Sequence, residues 1–259
     1  MSHEYENLIC TVSDGVATVT LNRPESLNAF GPGMASDIGA VFEEMAADGD
    51  VRVTILTGAG RGFCAGAFVK DPNTHALDSV AEGVMAQRGR SAFPWDYPKP
   101  LIGAVNGPAY GAGLNIVLCC DVILASTEAR FCFPMARLGI IPAWPGVQTL
   151  ALYVGKGKAA EMSLMARPID GEDAYRWGLA NKCVAPEDLM TEARAWAREF
   201  AAMAPVSLRL IKEELHDSYE ANFDRKLNRL RFMTAQVTAD RVEGHAAWRE
   251  KRQPTFQGR

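Results

Sequence analysis

Residues 99–145 read KPLIGAVNGPAYGAGLNIVLCCDVILASTEARFCFPMARLGIIPAWP, and the order of elements within them decides the fold. An apolar run from Leu101 to Val105 meets Asn106-Gly107-Pro108 and then Gly111-Ala112-Gly113. A helix-like run follows from Leu114 to Cys120, and a second apolar run covers 121–125. A short apolar run bounded by turn residues suits a strand buried on both faces. Backbone N–H groups at the start of a helix carry about half a positive charge and need no reorganisation to meet a developing oxyanion. The same glycines also suit a tight turn where backbones pack closely.

Upstream, Val53 to Thr57 reads as a buried strand that runs into Gly58-Ala59-Gly60-Arg61-Gly62-Phe63-Cys64-Ala65-Gly66-Ala67. Two strand-then-glycine turns could converge on one atom. Further out, Leu8 to Val12 and Val16 to Leu21 flank Asp14-Gly15, a hairpin signature. Pro32 to Ala47 has helical spacing through Met34, Ile38, Val41, Phe42 and Met45. Strands at 51–57, 101–105 and 121–125 alternate with helical runs, which predicts crossover units around a parallel sheet. Beyond Gly155 the chain reads as helical over 158–165, 170–177, 186–202 and 205–235. Asp170 and Asp173 suit a cap and a first-turn acid there, and Gly178 suits the stop.

Five pieces of this chain resemble the crotonase superfamily, also called the enoyl-CoA hydratase/isomerase family. They are LNRPESLNAF from Leu21, GAGRGFCAGAF from Gly58, KPLIGAVNGPAYGAG from Lys99, FCFPMARLGIIP from Phe131 and EGHAAWREKRQPTF from Glu243, in the family's order over nearly the whole chain. The resemblance implies an α/β fold, a crotonase-like spiral of ββα units over residues 1–197. A C-terminal helical trimerisation region over 198–259 would follow. It implies a CoA thioester substrate whose carbonyl oxygen sits between the backbone N–H groups of Ala67 and Ala112. Glycine is common in relatives at the latter position, but a methyl group removes nothing from a backbone donor.

The same resemblance locates acids that are missing. Family hydratases carry one glutamate where this chain has Asn115 and another where it has Met135, and relatives with other chemistry often place an acid at Ala143. An amide, a thioether and a methyl cannot take a proton at neutral pH, so the paired-carboxylate route for adding water is unsupported. An oxyanion hole without a strong base suits decarboxylation or carbon–carbon cleavage, where the substrate releases its own electron pair. Asn115 could orient water or a substrate carbonyl, or be a helix residue satisfied by a neighbouring carbonyl. Asp121, nearby in sequence, matches a structural aspartate.

Residues 70–97 carry Asp71, His75, Asp78, Glu82, Asp96 and Tyr97 in the region that covers the acyl pocket in the family. His75 titrates nearest neutrality and is a candidate base, and equally a solvated loop histidine. Phe68 stands where many relatives have aspartate. Phe68, Phe93, Trp95, Tyr97, Tyr110 and Trp144 hint at a bulky or aromatic acyl group, with Tyr110, Met135, Leu138, Ala143 and Trp144 as the substrate pocket. The resemblance seats CoA on Glu25, Leu27, Ala65, Ala67, Phe68, Val69, Lys70, Gly111 and Ala112. Phe232 and Lys251 would reach the nucleotide of a neighbouring subunit in a homotrimer or dimer of trimers. Read without the family, they are a core phenylalanine and a surface lysine.

Composition is consistent with this reading. The 259 residues carry a net charge of −4 and no basic cluster, which argues against a nucleic-acid partner. Cysteines at 10, 64, 119, 120, 132 and 183 have no metal-ligand spacing and read as buried hydrophobes of a reducing compartment. The N-terminus lacks a signal-peptide pattern and the longest apolar run is interrupted by Asn106, Pro108 and Asn115, so a cytoplasmic protein without a membrane span is expected. No permanently bound cofactor and no metal is expected. Three readings remain: an enzyme stabilising a thioester enolate, a non-catalytic acyl-CoA binder that kept the fold, and a hydratase or isomerase with a base from 70–97.

Overall fold

The computed structural model describes residues 2–67, 94–143, 146–220, 233–234 and 236–257. Its main sheet has seven strands: β1 (Ser2–Glu4), β2 (Leu8–Ser13), β3 (Val16–Leu21), β4 (Val53–Gly58), β5 (Leu101–Val105), β7 (Val122–Ser126) and β10 (Lys182–Val184), hydrogen-bonded in that order. A second sheet joins β6 (Pro108–Tyr110), β8 (Arg130–Cys132) and β9 (Ile169–Asp170). The helices among the described residues are α1 (Pro32–Ala47), α2 (Ala112–Val117), α3 (Gly146–Leu164), α4 (Gly171–Arg176), α5 (Leu189–Ala201), α6 (Pro205–Glu220) and α7 (Ala239–Glu250).

β2 and β3 form the expected hairpin, with Ser13 opposite Val16. Its two loop residues, Asp14 and Gly15, both have positive φ, at 53° and 77°. That geometry matches the twist of the flanking strands, which is why the Asp-Gly pair signals it. From β3 onward the main sheet is parallel, through β3 with β4, β4 with β5, β5 with β7 and β7 with β10.

The pleat sorts each parallel strand into two cores. Val53 and Ile55 of β4, Ile102 and Ala104 of β5, and Leu124 of β7 pack against Leu189, Ala193 and Ala197 of α5. The alternate residues Leu56, Leu101, Val105, Ile123 and Ala125 join the larger core with α1 and α2. Alternation with a period of two along each strand produces that division. The 197/198 position lies inside α5, a helix that belongs to the sheet's packing.

Some elements differ from the sequence reading. Helix formation after β8 starts at Gly146 and not at Lys158. The segment is two helices joined at Gly155, whose φ of 73° and ψ of 160° break the ladder. The strands β6, β8, β9 and β10, of two or three residues each, were not foreseen. Tyr97, read as a pocket aromatic, is a core residue: its hydroxyl lies 2.7 Å from Thr54 Oγ1 and its ring meets Phe42 edge-on at 5.0 Å. At α4 the reading holds, since Asp170 Oδ1 accepts from Asp173 N at 2.8 Å and Gly178 has φ 83°. Among the described residues, no helix is long and apolar enough to cross a membrane.

Candidate active site

Two glycine turns are drawn together by backbone bonds. Phe63 N and Cys64 N donate to Pro108 O at 3.1 and 2.9 Å, and Tyr110 N donates back to Cys64 O at 2.9 Å. Gly111 N donates to Cys132 O at 3.0 Å, tying the second turn to β8. On the other side, Ala67 bridges to Phe30, and Phe30 N donates to Gly66 O at 2.7 Å. Gly66 and Gly111 lie close together: a β-carbon built on Gly111 would lie 3.9 Å from Gly66 Cα. Gly66 takes φ +106° and would bring a β-carbon to 3.0 Å from Tyr110 O, so only glycine passes there without strain.

The residues that follow these glycines are Ala67 and Ala112. Neither N–H donates to a backbone carbonyl among the described residues. Ala112 is the first residue of α2, where a helix supplies no partner for its N–H. The described side chains near it include a thioether and an amide. The methyl end of Met135 would lie 3.3 Å from a β-carbon on Gly111. One turn into α2, Asn115 is 1 % exposed and its Oδ1 has no hydrogen-bond partner among the described residues. The oxygen lies 3.7 Å from a β-carbon built on Gly146 at the start of α3. That oxygen is an acceptor without a donor among the described residues.

Titratable groups nearby are held protonated. Burial pushes the Cys64 thiol up to about 11, despite backbone N–H groups that favour its thiolate. Burial also raises Tyr110, so its phenol is a donor and not a base at neutral pH. Asp121 is structural as expected: its Oδ2 accepts from Leu101 N at 2.7 Å and from Lys212 Nζ at 2.8 Å.

The segment that begins at Leu21 is seated on the first turn. Leu27, at φ 51°, offers its carbonyl to Ala65 N at 2.9 Å, so the expected cofactor residues Leu27 and Ala65 are brought together. Glu25 stands exposed in a 3-10 turn, with Arg23 at 3.7 Å. Lys251 ends α7 at φ 53°, and its N–H is used within that helix end. Leu138 abuts α7, its carbonyl carbon 2.5 Å from a β-carbon on Gly244, and Ala143 is half-buried. Phe68, Val69, Lys70, Asp71, His75, Asp78, Glu82, Phe93, Trp144 and Phe232 lie outside the described residues.

Two asparagines that the sequence reading passed over hold this arrangement. Asn28, fully buried, accepts from Arg23 N at 2.7 Å through Oδ1 and donates through Nδ2 to Ala59 O at 3.0 Å and Gly62 O at 2.8 Å. Asn106 accepts from Gly58 N at 3.2 Å and donates to Gly60 O at 3.0 Å. Nothing short of their partners' positions marks them, because those carbonyls are over 30 residues away. Asn28→Ala is expected to cost about 2 to 4 kcal/mol in urea unfolding, from three lost bonds at roughly 1 kcal/mol each and carbonyls left buried. A loss below about 0.5 kcal/mol would show that the staple is dispensable.

Residues 11–259 match the family model described as enoyl-CoA hydratase/isomerase. A probable enoyl-CoA hydratase of Mycobacterium tuberculosis is 34% identical over 255 residues, covering 97% of this chain and 98% of that protein. The 1,2-epoxyphenylacetyl-CoA isomerase of Escherichia coli is 34% identical over 260 residues, covering 98% and 99%. The crystal structure of a carnitinyl-CoA hydratase from Mycobacterium avium superposes with a TM-score of 0.86 at 28% identity, covering 99% of this chain and all of that one. With its parallel core and paired glycine turns, this chain is an acyl-CoA enzyme that belongs to the enoyl-CoA hydratase/isomerase family.

Proposed function

We propose that the enzyme stabilises a CoA-thioester enolate between the N–H groups of Ala67 and Ala112, and that its reaction does without the carboxylate pair of a simple hydratase. The observation that carries this reading is the close approach of Gly66 and Gly111, each followed by an N–H with no backbone acceptor among the described residues. Two fixed donors that gain strength as the thioester oxygen becomes negative lower the barrier without lowering the ground state. The side chains against the second turn, Met135 and Asn115, are a thioether and an amide, which supports a substrate-driven release of electrons. In a decarboxylation the bond to the carboxylate carbon breaks, its pair passes into the thioester carbonyl, CO2 leaves, and a proton from water completes the product. Carbon–carbon cleavage of a 3-hydroxy or 3-oxo acyl group would use the same enolate.

A second reading is favoured by the relatives, which are named hydratases and an isomerase. In it, ordinary hydration or isomerisation takes its base from residues 70–97, with His75 the best placed by intrinsic pKa. In both readings Glu25, Leu27, Ala65, Phe68, Val69, Lys70 and Gly111 seat the CoA, and no permanent cofactor is required. Tyr110, Met135, Leu138, Ala143 and Trp144 would face the acyl group. The assembly is a homotrimer or a dimer of trimers, with Phe232 and Lys251 reaching a neighbour's nucleotide and the region from 198 onward serving assembly. Val206, Leu210 and Ile211 on α6 are exposed apolar residues in keeping with such contacts.

The test is mass spectrometry of enoyl-, 3-hydroxyacyl-, 3-oxoacyl- and malonyl-type CoA thioesters incubated with the protein in heavy water. Deuterium beside the thioester carbonyl, or loss of CO2 or an aldehyde, is the expected result. Water addition to enoyl thioesters alone would favour the second reading, and binding without any change would leave an acyl-CoA binder. Light scattering on the same sample should read about three or six times the 28.1 kDa chain mass.

A further inference from the structure

Among the described elements, α7 packs chiefly on one: the 3-10 turn Pro134–Leu138 that follows β8. The buried residues of α7 are Gly244 and Ala247, so the helix adds little side-chain bulk to the core. We infer that α7 is a positioning element of the oxyanion site: seated on the 134–139 turn, it holds Met135 against Gly111 and so sets the direction of the Ala112 N–H. The inference rests on the thioester reading above.

Two glycines, one on each side, make the seat. Gly139 closes the 3-10 turn with φ +68°, and a β-carbon there would lie 2.4 Å from the carbonyl carbon and oxygen of Asp240 and 2.5 Å from Arg241 N. Gly244, one turn further along α7, would bring a β-carbon to 2.5 Å from the carbonyl carbon of Leu138. Backbone therefore meets backbone at two points, with no side chain between them to absorb a shift. Thr238 fixes the start of the helix beside this seam, where its hydroxyl accepts from Arg241 N at 3.1 Å. The tail folds back over the same turns: Arg252 meets the Glu243 carboxylate at 2.6 and 2.9 Å, and Gln257 N donates to Asp240 Oδ1 at 2.6 Å.

The turn carries that position inward. Ile140 N donates to Met135 O at 3.1 Å, so Met135 and Gly139 belong to one closed turn. The methyl end of Met135 would lie 3.3 Å, and its sulfur 3.9 Å, from a β-carbon on Gly111. Gly111 is the N-cap of α2 at φ 55° and ψ −112°, a conformation that suits glycine, and no side chain caps the helix there. Its ψ sets the plane of the peptide that carries the Ala112 N–H. From the helix side that peptide is held by Asn115 N, which donates to Gly111 O at 3.1 Å. From the other side it meets the Met135 thioether, a flexible group that makes only dispersion contacts. Where Met135 presses therefore depends on where its turn is seated, and α7 is that seat.

The probe is butyryl-CoA carrying carbon-13 at its thioester carbonyl, and the readout is the stretch of that carbonyl in the bound state by isotope-edited infrared spectroscopy. Donors in an oxyanion hole polarise the carbonyl, so its stretch should move to lower wavenumber in the unmodified protein. Gly244→Ala, which drives a β-carbon into the Leu138 backbone, should reduce that displacement while the Kd for butyryl-CoA stays near its original value. Met135→Ala should reduce it as well, and the double variant should lose no more than the worse single one, because both act through one contact. Met135→Leu keeps the bulk and should retain most of the displacement. Thr238→Val loosens the same seam more gently and should give a smaller reduction, which serves if Gly244→Ala does not fold. A lowered Tm with the carbonyl stretch unmoved in the Gly244→Ala and Thr238→Val proteins would make the seam structural only and overturn the inference. Losses from Gly244→Ala and Met135→Ala that simply add would also overturn it, while leaving the thioester reading intact. Butyryl-CoA that fails to bind the unmodified protein, or binds with its carbonyl undisplaced, would remove both.

Discussion

The Ala112→Pro variant should turn over its CoA thioester about 10²- to 10³-fold more slowly than the unmodified enzyme, the loss that follows removal of one oxyanion donor. Proline deletes the N–H and little else, because Ala112 is the first residue of α2, where proline's fixed φ is helical and a missing donor breaks no ladder bond. Circular dichroism and the urea midpoint should therefore barely move. The loss should fall on kcat, since the donor gains most as the oxygen becomes anionic. Ala112→Gly keeps the N–H and should retain most of the rate. Equal rates for the proline variant and the parent would place the enolate elsewhere.

The second large effect is expected from Gly113→Ala. A β-carbon there would lie 2.1 Å from Cys64 O and 2.9 Å from Cys64 C, both backbone atoms with no side chain to swing aside. Cys64 O is also the acceptor for Tyr110 N, so moving it loosens the bond that brings the two turns together. Overpacking of this kind costs about 1 to 3 kcal/mol, which is several degrees in Tm. Turnover should fall with it even where the protein remains folded, since α2 carries Ala112 away from Ala67. This differs from the proline variant, which loses rate with stability intact. A Gly113→Ala protein of unchanged Tm and rate would mean that α2 is not seated as described.

No group titrating near neutrality stands among the side chains described beside Ala112, where Tyr110 and Cys64 are both raised by burial. Any base for the reaction therefore comes from other residues or from the substrate itself. That shortfall explains why the acids were the most informative positions in the sequence. A missing glutamate is visible in one dimension, whereas a recruited base is a matter of where a loop lies.

Local chemistry alone determined much of this protein. The Asp14-Gly15 turn fixed a hairpin, the apolar runs at β4, β5 and β7 required burial on both faces, and Asp170 with Gly178 bounded α4. Each of these is decided within a few residues by φ preference, side-chain period or a capping bond. Only the tertiary structure decided the rest. Strands of two or three residues such as β6, β8 and β9 exist because partners at 130–132 and 169–170 complete their ladders. The roles of Asn28 and Asn106 are set by carbonyls across the first glycine turn. The seam under α7 joins Gly139 to Asp240 and Leu138 to Gly244, residues far apart in the chain. A hydrogen bond or a backbone contact depends on positions in space. The chain's path sets those only after its local elements have packed.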